Sequence, residues 1–361
     1  MQASAKFFAK VFNQTGATVR RTLDASLFLS NPRIVREVGK AASEVSIDLA
    51  LPWDNFGYGD SDGLNPFDLV KIYAVNEANK TGVLVYQGHI EEIVGVFDAS
   101  QSHITLRLYP IDALFGRSLW KDADYIVAYS GADVDTIFSD AITDVNTIYG
   151  ATFFTGNLSN PALSVIQTFT RLTHLAAITA AGLLLPSTWY WRVRPSGQLD
   201  LAQFNDSTAD HLLVVGKHID SVQVTKSLLN VKNKIVVSWN SPVEDDEYND
   251  ATSVTAYGRR MSLVSGSGIG DQTTADARGN GDKNRYKDLF TKTELVVNAL
   301  YPIETILPGD TIEVVNVSDT TSQMLSGILR VLRVEYDGSL CKLSLSDYAE
   351  NFGSEFTKSI A

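Results

Sequence analysis

Leu307-Pro308-Gly309-Asp310 opens the stretch that decides the fold. Pro308 presets φ for a turn, and Gly309 supplies the backbone freedom that turn needs. Behind it runs Thr311-Ile312-Glu313-Val314-Val315-Asn316-Val317, and after a polar loop Gly327-Ile328-Leu329-Arg330-Val331-Leu332-Arg333-Val334-Glu335-Tyr336. Asp337-Gly338 is a hairpin signal. Leu340-Cys341-Lys342-Leu343-Ser344-Leu345 then alternates apolar and polar, as a strand with one wet face does.

The same grammar occurs earlier. Asn65-Pro66-Phe67-Asp68 stands where Leu307-Pro308-Gly309-Asp310 stands. Leu69–Val75 matches Thr311–Val317, Val85–Val94 matches the strand that begins near Gly327, and His103–Leu108 matches Leu340–Leu345. Each copy is followed within a few residues by an aspartate, Asp112 or Asp347. The pattern is that of a degenerate internal duplication, and a repeat outranks local readings when architecture is judged.

The chain of 361 residues is long enough for two to three domains. With 44% hydrophobic and 20% charged residues it has the composition of a folded globular protein. A formal charge of −12 argues against sequence-specific nucleic-acid binding and against an anionic membrane surface as partner. The single cysteine, Cys341, excludes an intrachain disulfide framework and a cysteine-based structural zinc site, and reads as a small core residue. Residues 1–15 lack the apolar run of a signal peptide. The longest apolar run, Leu175 to Leu185, ends at Pro186 and is about half the length of a membrane span. It reads as a buried helix end in a soluble protein made in a cytoplasm.

Residues 17–29 read as a strand or two, and 31–40 as a short polar stretch with one helical turn. Glu44–Leu51 alternates as a strand with Val45, Ile47, Leu49 and Leu51 inward. With the first meander these make a small antiparallel barrel or sandwich within residues 1–115. From Ala132 the period changes. Val134, Ile137, Phe138, Ala141, Ile142 and Val145 fall at helical spacing, with Asp133 placed to cap the start and Gly150 to end it. A second helix is expected after Asn160-Pro161, on Leu163, Ile166, Phe169, Leu172, Leu175 and Ile178. Thr188–Val193 and Gln198–Phe204 form a hairpin about Pro195-Ser196-Gly197. This helix–hairpin unit, residues 116–215, is an α+β insertion. The third region, 216–361, resumes β grammar and has a partly helical insertion near 270–290. In it Glu244-Asp245-Asp246-Glu247 reads as a wet acidic turn, and 253–265 as a strand or two. The fold class is mainly β: two similar antiparallel β-barrel domains flanking a helix–hairpin domain.

No catalytic, cofactor-binding or metal-ligating residue is assigned. Zinc-protease, phosphate-loop and nucleophile-elbow motifs are absent from the sequence. The five histidines, His89, His103, His174, His211 and His218, are scattered. Gly266-Ser267-Gly268-Ile269-Gly270 is only part of a dinucleotide fingerprint. Asp60-Ser61-Asp62-Gly63 resembles a fragment of a calcium loop, but Lys71 stands at the twelfth ligand position. Trp189 and Trp191 share one strand face and pack a core or offer a platform for sugar. Glu91 and Glu92 should point opposite ways, as should Arg330 and Arg333.

The order of these motifs resembles the baseplate hub, or tail-associated, proteins of tailed phages and related contractile injection machines. The residues that carry the resemblance are Asn65–Tyr73 with Tyr86–Ile90, Trp189–Val193 with Gly197–Leu201, Asn230–Val237, and Pro308-Gly309-Asp310 with the terminal meander. It spans nearly the whole chain. The resemblance implies a virion structural protein without enzymatic activity or cofactor, assembled in the host cytoplasm. It implies a homotrimer at the tail tip. Its partners would be distal-tail or tube-ring proteins, a tape measure protein, and a tip or fibre protein. Three copies of two similar barrels present six, and so adapt a sixfold tube to a threefold tip. Absence of a further enzymatic or receptor-binding extension weighs against a cell-wall-degrading role. DNA would pass through the channel without specific binding, since an acidic lining repels phosphate. The alternative is a carbohydrate-binding β-module contacting the host surface through Trp189 and Trp191.

Overall fold

A computed structural model describes residues 5–50, 63–75, 81–97, 102–120, 125–239, 244–265, 269–315 and 327–346. The first strands are β1 (Lys6–Phe12), β2 (Val19–Leu23), β3 (Ile34–Glu37), β4 (Val45–Leu49), β5 (Leu69–Val75), β6 (Val83–Phe97) and β7 (Ser102–Pro110). Next come α1 (Leu114–Arg117), β8 (Ile126–Asp133), α2 (Val134–Tyr149), β9 (Thr155–Leu158), β10 (Ser164–Thr170) and α3 (His174–Gly182). They are followed by β11 (Trp189–Val193), β12 (Gln198–Gln203), β13 (His211–Val214), β14 (Ile219–Ser227), β15 (Lys234–Trp239) and β16 (Glu244–Asn249). The chain continues through α4 (Ala251–Tyr257), β17 (Met261–Ser265), α5 (Gln272–Tyr286), β18 (Phe290–Asn298), β19 (Thr311–Val315), β20 (Ile328–Tyr336) and β21 (Leu340–Ser346). The protein is mainly β, with its strands in several sheets.

The repeat is present in the strand order. One sheet runs β2-β1-β5-β6-β7-β4; another runs β13-β19-β20-β21-β18-β14. The run β5-β6-β7-β4 therefore corresponds to β19-β20-β21-β18, with all neighbours antiparallel in both. The registers agree as well. Leu69 faces His89 and Thr311 faces Arg330; Ile90 faces Leu108 and Val331 faces Leu345. Each copy then slips by one residue at the same place, at Glu91 in β6 and at Leu332 in β20. A bulge of this kind bends a strand and raises its twist, as a curling sheet requires. Outside the shared strands the copies differ: β1 joins β5 antiparallel, whereas β13 joins β19 parallel.

The apolar faces of the two sheets form one continuous core. Phe7 meets Tyr336 edge to face at 5.8 Å, and Ala5 N donates to Gly338 O at 2.9 Å. A second core fills the insertion, where α2 and α3 pack with β8–β12. Along α2 the six residues expected to be inward are buried, and Gly150 ends the helix at φ +61°.

Several expectations change. Residues 34–37 are a strand, not a helical turn, and β3 leaves the first region to pair with β20. Around it Val38 N bonds Leu332 O, Gly39 N bonds Trp191 O, and Arg36 reaches Val193 O, so this stretch staples insertion to second sheet. The helix expected after Pro161 is instead strand β10, because Val165, Gln167 and Phe169 alternate inward and β8 supplies the ladder. Helix begins only at His174, where the Thr173 side chain caps Ala176 N at 3.2 Å. The acidic stretch 244–249 is a strand: Lys234 pairs with Glu247 at 2.6 Å and Trp239 Nε1 donates to Asp246 at 2.6 Å, so tertiary partners override poor propensity. Of residues 253–265, read as a strand or two, 261–265 are strand β17, and a helix capped by Asp250 occupies 251–257 before it. Asp133 precedes α2 without capping it and accepts from Asn160 at 2.9 Å.

Candidate functional site

The two copies of the turn are superimposable bond by bond. Asn65 N donates to Asp68 Oδ2 at 3.0 Å, and Leu307 N to Asp310 Oδ2 at 2.8 Å. Phe67 N donates to Ile90 O at 2.7 Å, and Gly309 N to Val331 O at 2.7 Å. Ile90 N returns to Asp68 O at 2.9 Å, and Val331 N to Asp310 O at 2.8 Å. The aspartate therefore holds its own turn closed with a side-chain oxygen, the local competition that favours Asp and Asn at such sites. The residue before it takes positive φ in both: Phe67 at +66°, Gly309 at +94°. A phenylalanine there is strained, and the strain marks the position.

What flanks the two turns differs. Around Asp310 lies a buried ionic network that joins the second sheet to the insertion. Arg192, on β11, places Nε 2.9 Å from Asp200 Oδ2 and its terminal nitrogen 2.7 Å from Asp310 Oδ1, and also donates to Pro308 O. Arg194 Nε reaches Asp200 Oδ2 at 2.6 Å, and Gln198 donates to Asp200 Oδ1 at 2.8 Å. His211 spans Asp310 Oδ2 at 3.0 Å and Tyr301 Oη at 3.0 Å. Burial alone pushes the Asp310 carboxyl up, but the His211 bond and the Arg192 charge outweigh it and bring it below the ordinary range. The Arg192 guanidinium is correspondingly raised: burial works against its charge, and Asp310 more than offsets that.

Around Asp68 the flank is aromatic. The Phe67 ring stacks on His89, centroids 4.3 Å apart and planes 5° apart, and Phe153 of the insertion meets His89 edge to face at 5.2 Å. His89 Nδ1 lies 2.9 Å from Phe67 O, and buried Nε2 has no hydrogen-bond partner. Burial holds the imidazole down to about 4. Asp68 is fully buried; Arg20 approaches Oδ1 only to 3.4 Å, and burial raises its carboxyl despite the Asn65 and Arg20 contributions.

A serine–histidine–aspartate grouping lies inside the insertion, unanticipated because its members are far apart in the chain. His174 Nδ1 is 3.0 Å from Ser118 Oγ, and Nε2 is 2.7 Å from Asp144 Oδ2. The Ser118 hydroxyl also reaches the Leu114 carbonyl, at 3.4 Å. Nδ1 also lies 3.1 Å from the Ser118 carbonyl oxygen, which can only accept. That carbonyl already accepts the His174 backbone N–H at 3.4 Å, and the single proton of a neutral ring serves either it or Asp144. The ring, stacked on Trp120 at 5.3 Å, is a latch between α1, α2 and α3.

Other candidates resolve individually. Trp191 is 1% exposed and lies in the insertion core, with Gly182 against its indole, so it offers no face to a sugar; Trp189 is half-buried on the same core. Glu91 and Glu92 are both exposed because the bulge breaks the alternation, and they pair with Arg117 and Arg107, each at 2.6 Å. By the same slip Arg330 and Arg333 face Ser346 and Ser344, on one side of the sheet rather than two. They still make no joint patch, since Arg330 binds Asp206 and Arg333 approaches Glu37 and Glu335. His211 and His218 both meet the Tyr301 ring, at 5.9 and 5.2 Å. Cys341 is fully buried, and burial raises its thiol. Gly270 packs on Ile166 of β10; Gly266 to Gly268, Asp60 to Asp62 and Asp347 lie outside the described residues. Among the described residues no helix is long and apolar enough to cross a membrane. At the junction of both sheets and the insertion, a cavity of about 20 Å³, room for one water, is lined by Ile34, Arg36, Val85, Pro195 and Tyr336 among others.

The sequence matches no protein-family model and no curated protein. Solved structures match over nearly the whole chain. The 43 kDa tail protein of prophage MuSo2 from Shewanella oneidensis is 12% identical, aligned over 95% of this chain and 98% of its own, with a TM-score of 0.64. The tail protein from Neisseria meningitidis MC58 is 13% identical over 95% of this chain and 96% of its own, TM-score 0.64. Prophage tail protein gp18 from Listeria monocytogenes EGD-e is 11% identical over 98% and 97%, TM-score 0.59. At such identities the shared property is the fold, and it is the fold of phage tail proteins.

Proposed function

We propose that the chain is a structural virion protein, a trimeric hub at the distal end of a phage tail. It adapts a sixfold tail tube to a threefold tip and surrounds the channel through which DNA passes without specific binding. The observation that carries this reading is the repeated four-strand unit with its matching bulge. A trimer of a chain with two such units presents six near-equivalent edges to a sixfold ring, while keeping three identical ones for a tip. On this reading residues 1–115 and 216–361 supply two tube-like barrels, with β3 lent from the first to the second. Residues 116–215 brace them through the Arg192–Asp310 network.

The partners are then further copies of the chain, the tail-tube or distal-tail ring, a tape measure protein and a tip or fibre protein. The role is structural rather than enzymatic, and the location is the virion tail after assembly in the host cytoplasm. Native mass measurement and electron microscopy of the chain, alone and with its neighbouring tail proteins, test this. A threefold ring with six similar lobes is expected. A stable assembly of any other symmetry overturns it.

A further inference from the structure

β1 and β5 pair so that Lys10 stands directly across from Lys71, and Phe8 directly across from Tyr73. Like charges facing each other in a sheet are destabilising. The placement is worse because burial lowers the Lys71 ammonium from its ordinary value. None of the ion pairs among the described residues includes Lys6, Lys10 or Lys71. Instead the lysines lie over rings: Lys10 Nζ is 5.9 Å from the Tyr73 centroid, and Lys71 Nζ is 4.9 Å from that of Phe12. The Phe8 and Tyr73 rings stack beside them, 4.9 Å apart at 8°. In a chain of net charge −12 this is a concentrated cationic, aromatic sheet face with no ion-paired carboxylate among the described residues.

The complement lies on the outlying sheet β16-β15-β17. Helix α5 covers one of its faces, where Tyr248 lies against Gly279 and Ile235, Val237 and Trp239 pack with Ala275. The opposite face is open. Register places Glu247 and Leu263 on either side of Val236, and Asp245 and Ser265 on either side of Ser238. Met261 is 56% and Leu263 73% exposed, high values for apolar strand residues. The face thus has an acidic strip, Asp245 and Glu247, the latter held by Lys234 at 2.6 Å, beside an apolar strip, Met261 and Leu263.

We propose that these two faces meet between copies of the chain: the open face of the outlying sheet in one copy covers the lysine–aromatic face of the next. This rests on the ring reading above and assigns its contact. Asp245, with Glu247 shared between Lys234 and the incoming face, meets Lys10 and Lys71, while Met261 and Leu263 lie on Phe8 and Tyr73. The acidic and apolar strips are two strand spacings apart, about 9.5 Å; the lysine and ring pairs are two residues apart, about 7 Å, so the strips superpose when the sheets cross steeply. Because the two faces are different, the contact is head-to-tail, and it closes into a ring when the rotation between copies is one third of a turn.

The test uses the full chain under conditions where the wild type forms its ring, with sedimentation and native mass as readouts and far-UV circular dichroism to check folding. Lys10→Glu/Lys71→Glu and, separately, Asp245→Lys/Glu247→Lys should each weaken ring formation at least tenfold. The quadruple variant, with the charges exchanged, should recover most of it. Folded double variants that assemble like the wild type overturn the proposed contact and leave the ring reading intact. A wild type that forms no threefold ring, even with its neighbouring tail proteins, removes both. A labelled duplex or single-stranded oligonucleotide provides the other arm. Binding lost in Lys10→Glu/Lys71→Glu, with assembly unaffected by either reversal, identifies nucleic acid as the missing anion and overturns the proposal.

Discussion

Asp68 and Asp310 occupy the same place in the same turn, close it with the same bond, and shift in opposite directions. Burial raises both carboxyls. At Asp310 the His211 bond and the Arg192 charge reverse the sign; at Asp68 a guanidinium held at 3.4 Å and the turn amide do not. The backbone of the repeat is therefore one object and its flanks are two. One copy is fastened to the insertion by charge, the other by stacked rings. The difference teaches that a duplicated unit keeps what closes its own chain and exchanges what joins it to its surroundings.

The sharpest way to break that contrast is to neutralise both aspartates. Asp310→Asn should cost about 3–5 kcal/mol, the range for removing one member of a buried ion pair, toward the lower end because Asp200 still holds Arg192. Asp68→Asn should change stability by under about 1 kcal/mol, since an amide keeps the bond from Asn65 N and burial favours a neutral group. Urea midpoints at pH 7 measure both, and equal losses would dissolve the distinction.

Acid separates the copies next. His89 is held at about 4, below its unfolded value of 6.5, so its contribution is present above pH 6.5 and lost as pH falls to 4. The loss is on the order of 3 kcal/mol. Asp310 is depressed, so its contribution is lost only as pH falls from its unfolded value of 3.8 through its lower folded one. Asp68 is raised and works the other way: acid relieves it. Melting temperature should therefore decline between pH 6.5 and 4, and His89→Phe should flatten that decline whatever its offset at pH 7.

The smallest effects concern the strained position. A Cβ on Gly309 would lie 2.3 Å from Tyr190 Cε2 at φ +94°, so Gly309→Ala should cost at least about 2 kcal/mol. Phe67→Gly, the reverse exchange, relieves positive φ but loses the His89 stack, a net loss of about 1 kcal/mol. Thermal unfolding of the two variants ranks them.

Much of the architecture was legible in sequence. Pro-Gly-Asp turns, alternation in Leu340–Leu345 and the helical stripe of α2 are local signals, and each appears where it was read. The aspartate at the same place in both turns was visible too, and was the one available pointer to the site. Its partners were not: His211 is separated by 99 residues from Asp310 and Arg192 by 118. Ser118, Asp144 and His174 meet only because α1, α2 and α3 pack together. The bulges at Glu91 and Leu332 have no signature in their own strands, since a bulge is defined by the partner's register. For that reason the facing of Glu91, Glu92, Arg330 and Arg333 was misjudged.

Sequence by itself determined the meander, its repetition and helix α2, because turn chemistry and side-chain period act over a few residues. Tertiary structure alone decided that β3 crosses to the second sheet, that an acidic stretch becomes a strand, and that two equivalent aspartates differ in charge environment. Those outcomes depend on which groups meet in space, for β3 and Asp310 across a hundred residues or more. Spacing along a chain carries no record of burial between its distant parts.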